Sequence, residues 1–292
     1  MILSQYANGK TRVMGLLGNP VSQTKSPFIQ NTLCREYSIN AIYLPFEVTQ
    51  DNLGTAVAGL RALDCLGFNV TVPYKQEIIK YVDRVDDEAL EMGAVNTVKN
   101  EGGCLIGYNT DADGFLKDLS NNLTSNISGK RIMVLGAGGT SRAICLKLAK
   151  SGISHLTIAN RTIQKAGQIA ALVEQYAPTS NVSSTDKVFL ELLHSSDIII
   201  NTTPVGMSTT GGGMPFDYPF VFSPNQMIYD VIYNPEFTQL LKSAKNAGCK
   251  VCNGLGMLIN QAVLAFQIWT DKKVENNFSQ ELIKVIRELE DL

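Results

Sequence analysis

Histidine is almost missing from this 292-residue sequence: His155 and His194 are the only two. Neither has a recognisable catalytic neighbourhood, so both read as structural, and acid–base chemistry must fall to other side chains. A strong charge of either sign is also lacking. Twenty-five basic residues face 27 acidic ones, for a formal net charge of -2, without the positive excess that phosphate-rich partners favour; nucleic acid is not an expected ligand. No uncharged apolar run approaches the ~20 residues that span a bilayer, so no membrane association is expected. The stretch Met1 to Lys10 has no basic cluster followed by an apolar core, which argues against a signal peptide and for a cytoplasmic location. The six cysteines, Cys34, Cys65, Cys104, Cys145, Cys249 and Cys252, are scattered in the way of reduced, buried thiols. Only Cys249-Lys250-Val251-Cys252 is a close pair. It falls in an expected strand, where residues three apart point to opposite faces, and no second pair completes a zinc site. No metal is expected. Repeats and low-complexity segments are absent as well.

What is present is an ordinary globular composition, 45% hydrophobic and 18% charged, long enough for two domains with separate cores. Strand and helix patterns alternate almost throughout, which predicts an α/β fold with mainly parallel sheets. Strands are expected at Arg12 to Leu17, Ala41 to Val48 and Phe68 to Val72. Ala94 to Lys99 and Cys104 to Tyr108 form a hairpin across Gly102-Gly103. Ser26-Pro27 opens a helix, with the serine as N-cap and the proline at the first helical position; further helices cover Leu53 to Leu63 and the region of Asp86 to Met92. A second unit begins near residue 111. Its strands are Arg131 to Leu135, Leu156 to Ala159, Ile198 to Asn201, Met227 to Val231 and Lys250 to Cys252. Two last helices, about Leu258 to Trp269 and Ser279 to Leu289, are expected to return to the first domain. The predicted division is residues 1–110 with 254–292, and residues 111–253 as a Rossmann-type unit.

The run Gly136-Ala137-Gly138-Gly139, with Ser141 where a third glycine is usual, nearly matches the dinucleotide-binding fingerprint. It follows a strand and opens a helix, which is the context the mechanism needs: the glycines let backbone approach a pyrophosphate at the positive end of the helix. At the end of the next strand, where NAD binders carry an acidic residue for the ribose hydroxyl, this chain has Asn160-Arg161-Thr162, with Lys165 beyond. A guanidinium, a hydroxyl and an amide suit a 2′-phosphate that an aspartate would repel. The competing reading is a solvated Arg161 and a Thr162 that only caps a helix. NADP is the expected cofactor.

Eight motifs, in order along nearly the whole chain, resemble those of the shikimate dehydrogenase family. They are Gly18-Asn19-Pro20-Val21-Ser22-Gln23-Thr24-Lys25-Ser26-Pro27, Asn69-Val70-Thr71-Val72-Pro73-Tyr74-Lys75, Gly93-Ala94-Val95-Asn96-Thr97 and Gly107-Tyr108-Asn109-Thr110-Asp111. The glycine loop, Asn160-Arg161-Thr162, Asn201-Thr202-Thr203-Pro204-Val205-Gly206-Met207 and Asn253-Gly254-Leu255-Gly256-Met257-Leu258 complete the set. The resemblance implies reduction of 3-dehydroshikimate to shikimate with NADPH, at a cleft between the two domains. It implies Lys75 and Asp111 as the catalytic pair and Thr24 with Ser26 on the substrate carboxylate. Thr71, Asn96, Asp111 and Gln261 would hold the ring hydroxyls, and Tyr233 would close the pocket. Met207 and Gly254 would line the nicotinamide side, with Thr203 of the same loop as Met207 also at the cofactor. A small-molecule substrate is the implied partner, with a homodimer as a candidate assembly.

The residue types suit that chemistry. Hydride transfer to a ketone leaves an alkoxide, and without a usable histidine an ammonium can supply both a proton and a positive charge. For an isolated Lys75 or Asp111, a surface or capping role would be the better reading; their places in two separate motifs reverse it. The sequence departs from the family pattern at Gln23 and Thr24, where histidine and serine are usual, and at Gln30, where a second histidine is familiar. These departures keep a quinate-oxidising relative open as an alternative, beside a catalytically silent regulatory one.

Overall fold

The computed structural model describes residues 7–208, 211–275 and 277–290. The first six residues, on which the reading of the N-terminus partly rests, lie outside the described residues. Contacts divide the chain into two compact units, residues 1–114 with 258–292, and residues 115–257. Both crossings fall inside helices, α4 (Asp111–Asn122) and α9 (Leu255–Thr270). No loop composition marks them, so they lie a few residues from the division predicted at 110/111 and 253/254.

The first unit carries a six-stranded mixed sheet, ordered β2-β1-β3-β5-β6-β4. Its strands are β1 (Arg12–Gly18), β2 (Ala41–Glu47), β3 (Gly67–Val70), β4 (Arg84–Val85), β5 (Thr97–Glu101) and β6 (Cys104–Tyr108). The β1–β2 and β1–β3 pairs are parallel, while β3–β5 and β5–β6 are antiparallel. The β5–β6 hairpin turns at Gly102 (φ 60°) and Gly103 (φ 94°), backbone angles that favour glycine. Helices α1 (Ser26–Glu36), α2 (Leu53–Ala62) and α3 (Asp87–Met92) precede α4, and α10 (Phe278–Glu290) follows α9. The core on one face gathers Leu53, Val57, Phe68, Val70, Ile78 and Val98, all essentially buried.

The second unit is an all-parallel sheet of β7 (Arg131–Leu135), β8 (His155–Ala159), β9 (Thr179–Val182), β10 (Ile198–Asn201), β11 (Met227–Asp230) and β12 (Lys250–Asn253). Its order is β12-β11-β10-β7-β8-β9, the doubly wound Rossmann arrangement, in which the chain reverses direction between β7 and β10. Helices α5 (Gly139–Ala149), α6 (Ile163–Val173), α7 (Val188–Ser195) and α8 (Gln239–Asn246) connect the strands. Continuous apolar stretches such as Ile198-Ile199-Ile200, wholly buried, are what a sheet covered on both faces requires.

Several local expectations change. The N-cap of α1 is Lys25, not Ser26, and Pro27 lies one position further in; the side chain of Thr24 takes over, its Oγ1 accepting from the Ser26 N–H at 3.2 Å. β3 stops at Val70, before Thr71 and Val72 turn away. β5 begins at Thr97 rather than Ala94; just before it the Val95 N–H donates to the Lys75 carbonyl at 2.7 Å, outside the β3–β5–β6 ladder. Helix α9 starts three residues early, at Leu255. Cys249 precedes β12, and its thiol donates to the Ser223 carbonyl, whereas Cys252 lies against Asp118. The two thiols thus have separate partners. Among the described residues, no group of three or more histidine, cysteine or acidic side chains is placed to hold a metal ion, and no helix is long and apolar enough to cross a membrane.

Candidate active site

In the first unit the polar residues collect where β1, β3 and β6 end. Gly18, the last residue of β1, has no room for a side chain: a Cβ there would lie 2.3 Å from Thr71 Cγ2. That close approach brings the loop after β1 beside the segment after β3, and the Thr71 N–H donates to the Leu17 carbonyl at 2.9 Å. Thr24 is half-buried and Ser26 buried, with the Thr24 hydroxyl donating to Ser26 Oγ at 3.1 Å. Gln23 is exposed, whereas Gln30 is fully buried and donates from Nε2 to the Ala262 carbonyl at 2.9 Å. The glutamine at position 30 therefore ties α1 to α9 inside the unit.

Lys75 and Asp111 meet here. Lys75 Nζ lies 2.5 Å from Asp111 Oδ2, and their side chains are only 12% and 6% exposed, so little water competes for the pair. Asn96, 3% exposed, donates from Nδ2 to Asp111 Oδ1 at 2.8 Å and to Thr110 Oγ1 at 3.0 Å. Its Oδ1 accepts from the Thr110 N–H at 2.8 Å. Asn109 Oδ1 in turn accepts from the Asp111 N–H at 3.0 Å, at the first residue of α4. A carboxylate so placed takes the amide on one oxygen and the ammonium on the other.

Gln261, half-buried on α9, lies against α4 at Gly114, where a Cβ would come within 2.8 Å of the Gln261 nitrogen. Its Nε2 donates to the Leu258 carbonyl at 2.8 Å. The structure thus gathers Lys75, Asp111 and Asn96 in one cluster and joins Thr24 to Ser26. Tyr233 belongs to the second unit, just past β11.

In that second unit, Gly136 directly follows β7, at the switch point. Its φ of 107° excludes a side chain, and so does Thr202 Oγ1, which would lie 2.6 Å from a Cβ at this position. Gly138 and Gly139 then start α5 without a capping side chain. Ser141, in place of the third glycine, donates to the Gly136 carbonyl at 2.7 Å and so braces the loop. Thr203 sits beside it, held by Asn201: Oδ1 of Asn201 accepts from the Thr203 N–H at 3.0 Å and its hydroxyl at 2.7 Å. Asn201 Nδ2 donates to Asp230 Oδ1 at 3.0 Å, and the Ile232 N–H and Thr238 hydroxyl also donate to this carboxylate. Burial nevertheless pushes Asp230 up to about 6, the donors pulling the other way. Met207 is 37% exposed at the end of the same loop, and Gly254 is pressed against the Val231 carbonyl, 2.0 Å from where a Cβ would stand.

At the end of β8, Asn160 is half-buried and donates to the Thr162 carbonyl at 2.9 Å, while Arg161, Thr162 and Lys165 are exposed. Thr162 occupies the N-cap position of α6, but its side chain makes no capping bond; the capping role weighed for it from sequence is not the one its hydroxyl performs. The two histidines have structural surroundings: His155 Nε2 lies 3.0 Å from Ser180 Oγ, and His194 packs on Phe220 with ring centroids 4.4 Å apart and planes tilted by 40°.

Asn69, Thr97 and Thr110 flank the site within its motifs without a role expected from the sequence, and Tyr43, Asp118 and Asp230 lie outside the expected site residues. For Asn69, Thr97 and Thr110 the signal was a polar residue between buried neighbours, which becomes informative only once strand register is known.

Three family models match the chain: the shikimate dehydrogenase substrate binding domain over residues 16–98, shikimate / quinate 5-dehydrogenase over residues 118–208, and the shikimate 5′-dehydrogenase C-terminal domain over residues 254–275. A shikimate dehydrogenase (NADP+) of Caldanaerobacter subterraneus subsp. tengcongensis is 44% identical over 275 residues, covering 94% of this chain and 97% of that one. Among solved structures, the shikimate 5-dehydrogenase of Listeria monocytogenes in complex with shikimate and NAD superposes with a TM-score of 0.85 at 33% identity, covering 94% of this chain and 97% of that one. A shikimate dehydrogenase in complex with NADP+ gives 0.85 at 37% identity, covering 94% and 96%. With this agreement over 94% of its length, on top of the motifs and the Lys75–Asp111 pair, the chain belongs to the shikimate dehydrogenase family.

Proposed function

We propose that the chain catalyses the reversible NADP-linked reduction of 3-dehydroshikimate to shikimate. The observation that carries the reading is the buried Lys75–Asp111 pair, with Asn96 on the second carboxylate oxygen. NADPH supplies the hydride. The chain's own residues must then deal with an oxygen that gains negative charge. Lys75 is the group to do so, since an ammonium both stabilises an alkoxide and gives it a proton. In the oxidative direction the neutral amine takes that proton back. Asp111 orients the ammonium through Oδ2 and can accept from a neighbouring ring hydroxyl, as can Asn96. Thr24 and Ser26 offer hydroxyl donors for a carboxylate beside the first turn of α1, where helix N–H groups favour an anion. Thr71 and Gln261 complete the substrate set, and Tyr233 is the contribution proposed from the second unit.

The residues present fit the nucleotide. A glycine with positive φ at the switch point, a helix opening at Gly139 and a serine that braces the loop make a cradle for a pyrophosphate. No carboxylate stands among Asn160, Arg161 and Thr162 to repel a 2′-phosphate, and the exposed guanidinium, hydroxyl and Lys165 ammonium suit one. Thr203, Met207 and Gly254 are the proposed lining on the nicotinamide side. The reading is tested by incubating enzyme, shikimate and NADP+ and following both products. One NADPH should form for each shikimate that loses two hydrogens by mass; NADPH formation without that mass change would contradict it.

A further inference from the structure

The hydroxyl of Thr97 is fully buried, out of reach of any ligand, yet it joins side chains from three segments. Asn69 and Thr97 stand directly opposite each other in the antiparallel β3–β5 pairing, and Asn69 Nδ2 donates to Thr97 Oγ1 at 3.0 Å. Thr97 donates to Asn96 Oδ1 at 3.0 Å and lies 3.3 Å from the Thr110 hydroxyl. The Asn96 amide has one satisfactory orientation. Its oxygen faces the Thr110 N–H, which can only donate, and its nitrogen faces Asp111 Oδ1, which when ionised can only accept.

The run continues on the other side of Asn69. Tyr43 crosses from β2 to donate its phenol proton to Asn69 Oδ1 at 2.8 Å. Donors therefore point one way through buried side chains, from Tyr43 by Asn69, Thr97 and Asn96 to Asp111.

We propose that Thr97 is a positioning residue for the reaction: its hydroxyl links Asn69 to Asn96, so that the Asn96 amide holds one oxygen of Asp111 and leaves the other to Lys75. The inference rests on the reading of Lys75 and Asp111 as the reacting pair. Chains of hydrogen bonds in a site closed to water strengthen one another, and a break leaves a buried amide proton of Asn69 facing a methyl group.

Thr97→Val and Thr97→Ala remove the hydroxyl by two routes, one keeping the shape and one leaving space, and Thr97→Ser keeps it. Each is compared with wild type for kcat, KM for shikimate, NADP+ affinity and melting temperature. Loss of one buried hydrogen bond should lower kcat about tenfold in both hydroxyl-free variants. NADP+ affinity should be unchanged, and the serine variant should stay near wild type. On an Asn96→Ala background, Thr97→Val should cost nothing further, because the amide through which it acts is gone. A valine or alanine variant with wild-type kcat would overturn the inference. So would a serine variant as slow as the valine one, or an equal loss on the Asn96→Ala background. A wild-type enzyme that leaves shikimate unoxidised would instead sink the functional reading itself.

Discussion

Lys75 Nζ and Asp111 Oδ2 are 2.5 Å apart, in a setting where both side chains are nearly closed to solvent. Breaking a buried pair leaves one charge uncompensated, so each residue matters to the other as well as to a substrate. Lys75→Ala should lower kcat about 10²–10⁴-fold, the range for a positioned acid–base group. NADP+ binding, measured by fluorescence titration, should survive. Asp111→Asn should lower kcat and raise KM for shikimate. Because the two act as a unit, the double variant should be little worse than the poorer single one; fully multiplicative losses would mean independent tasks.

Arg161 is exposed at the end of β8, with Thr162 and Lys165 beside it. Arg161→Ala should weaken NADP+ about tenfold or more, the equivalent of one charge-assisted hydrogen bond, and leave NAD+ nearly as before. Isothermal titration with both nucleotides decides this. Equal losses for the two would remove the segment as the discriminator.

The half-buried Thr24 differs from the serine of the family pattern by one methyl group. Thr24→Val keeps the shape and removes the donor, so KM for shikimate should rise about tenfold, as for one charge-assisted bond lost, with NADP+ affinity unchanged. Thr24→Ser should be tolerated. Steady-state kinetics of the two variants separate the hydroxyl from the methyl.

Asp230 gives the second unit a pH dependence. Its folded value of about 6 lies above the ordinary 3.8, so between these values the folded state keeps a proton that the unfolded chain has lost. Stability from this group is present at low pH and falls as pH rises through the window. Full loss amounts to roughly 3 kcal/mol by the usual conversion of a shift into free energy. Denaturant unfolding from pH 4 to 7 should show wild type losing ground to Asp230→Asn across that range. A difference between the two that does not vary with pH would refute it.

The parts legible in the sequence were those fixed by local chemistry. Gly136 to Gly139 between a strand and a helix announces the β7–α5 turn, and Ile198-Ile199-Ile200 reads as a strand covered on both faces. The unread parts depend on distant partners. That Asn69 faces Thr97 follows only from the antiparallel β3–β5 register. Gly256 is read in sequence only as part of the Asn253-to-Leu258 motif; in the structure a Cβ there would stand 1.9 Å from Asp118 Oδ1, so glycine is what lets that carboxylate, which also accepts from the Tyr229 phenol, reach the start of α9. The start of α1 differs from its expected place because Thr24, outside the helix, supplies the bond expected of Ser26.

The most direct test of the proposed activity is kcat/KM of the wild-type enzyme for shikimate with NADP+, set against quinate and NAD+ in the same assay. Shikimate with NADP+ should be the best of the four pairs, by at least tenfold over the same substrate with NAD+, from the charge-assisted contact assigned to Arg161. A higher value for quinate, or for NAD+, would contradict it.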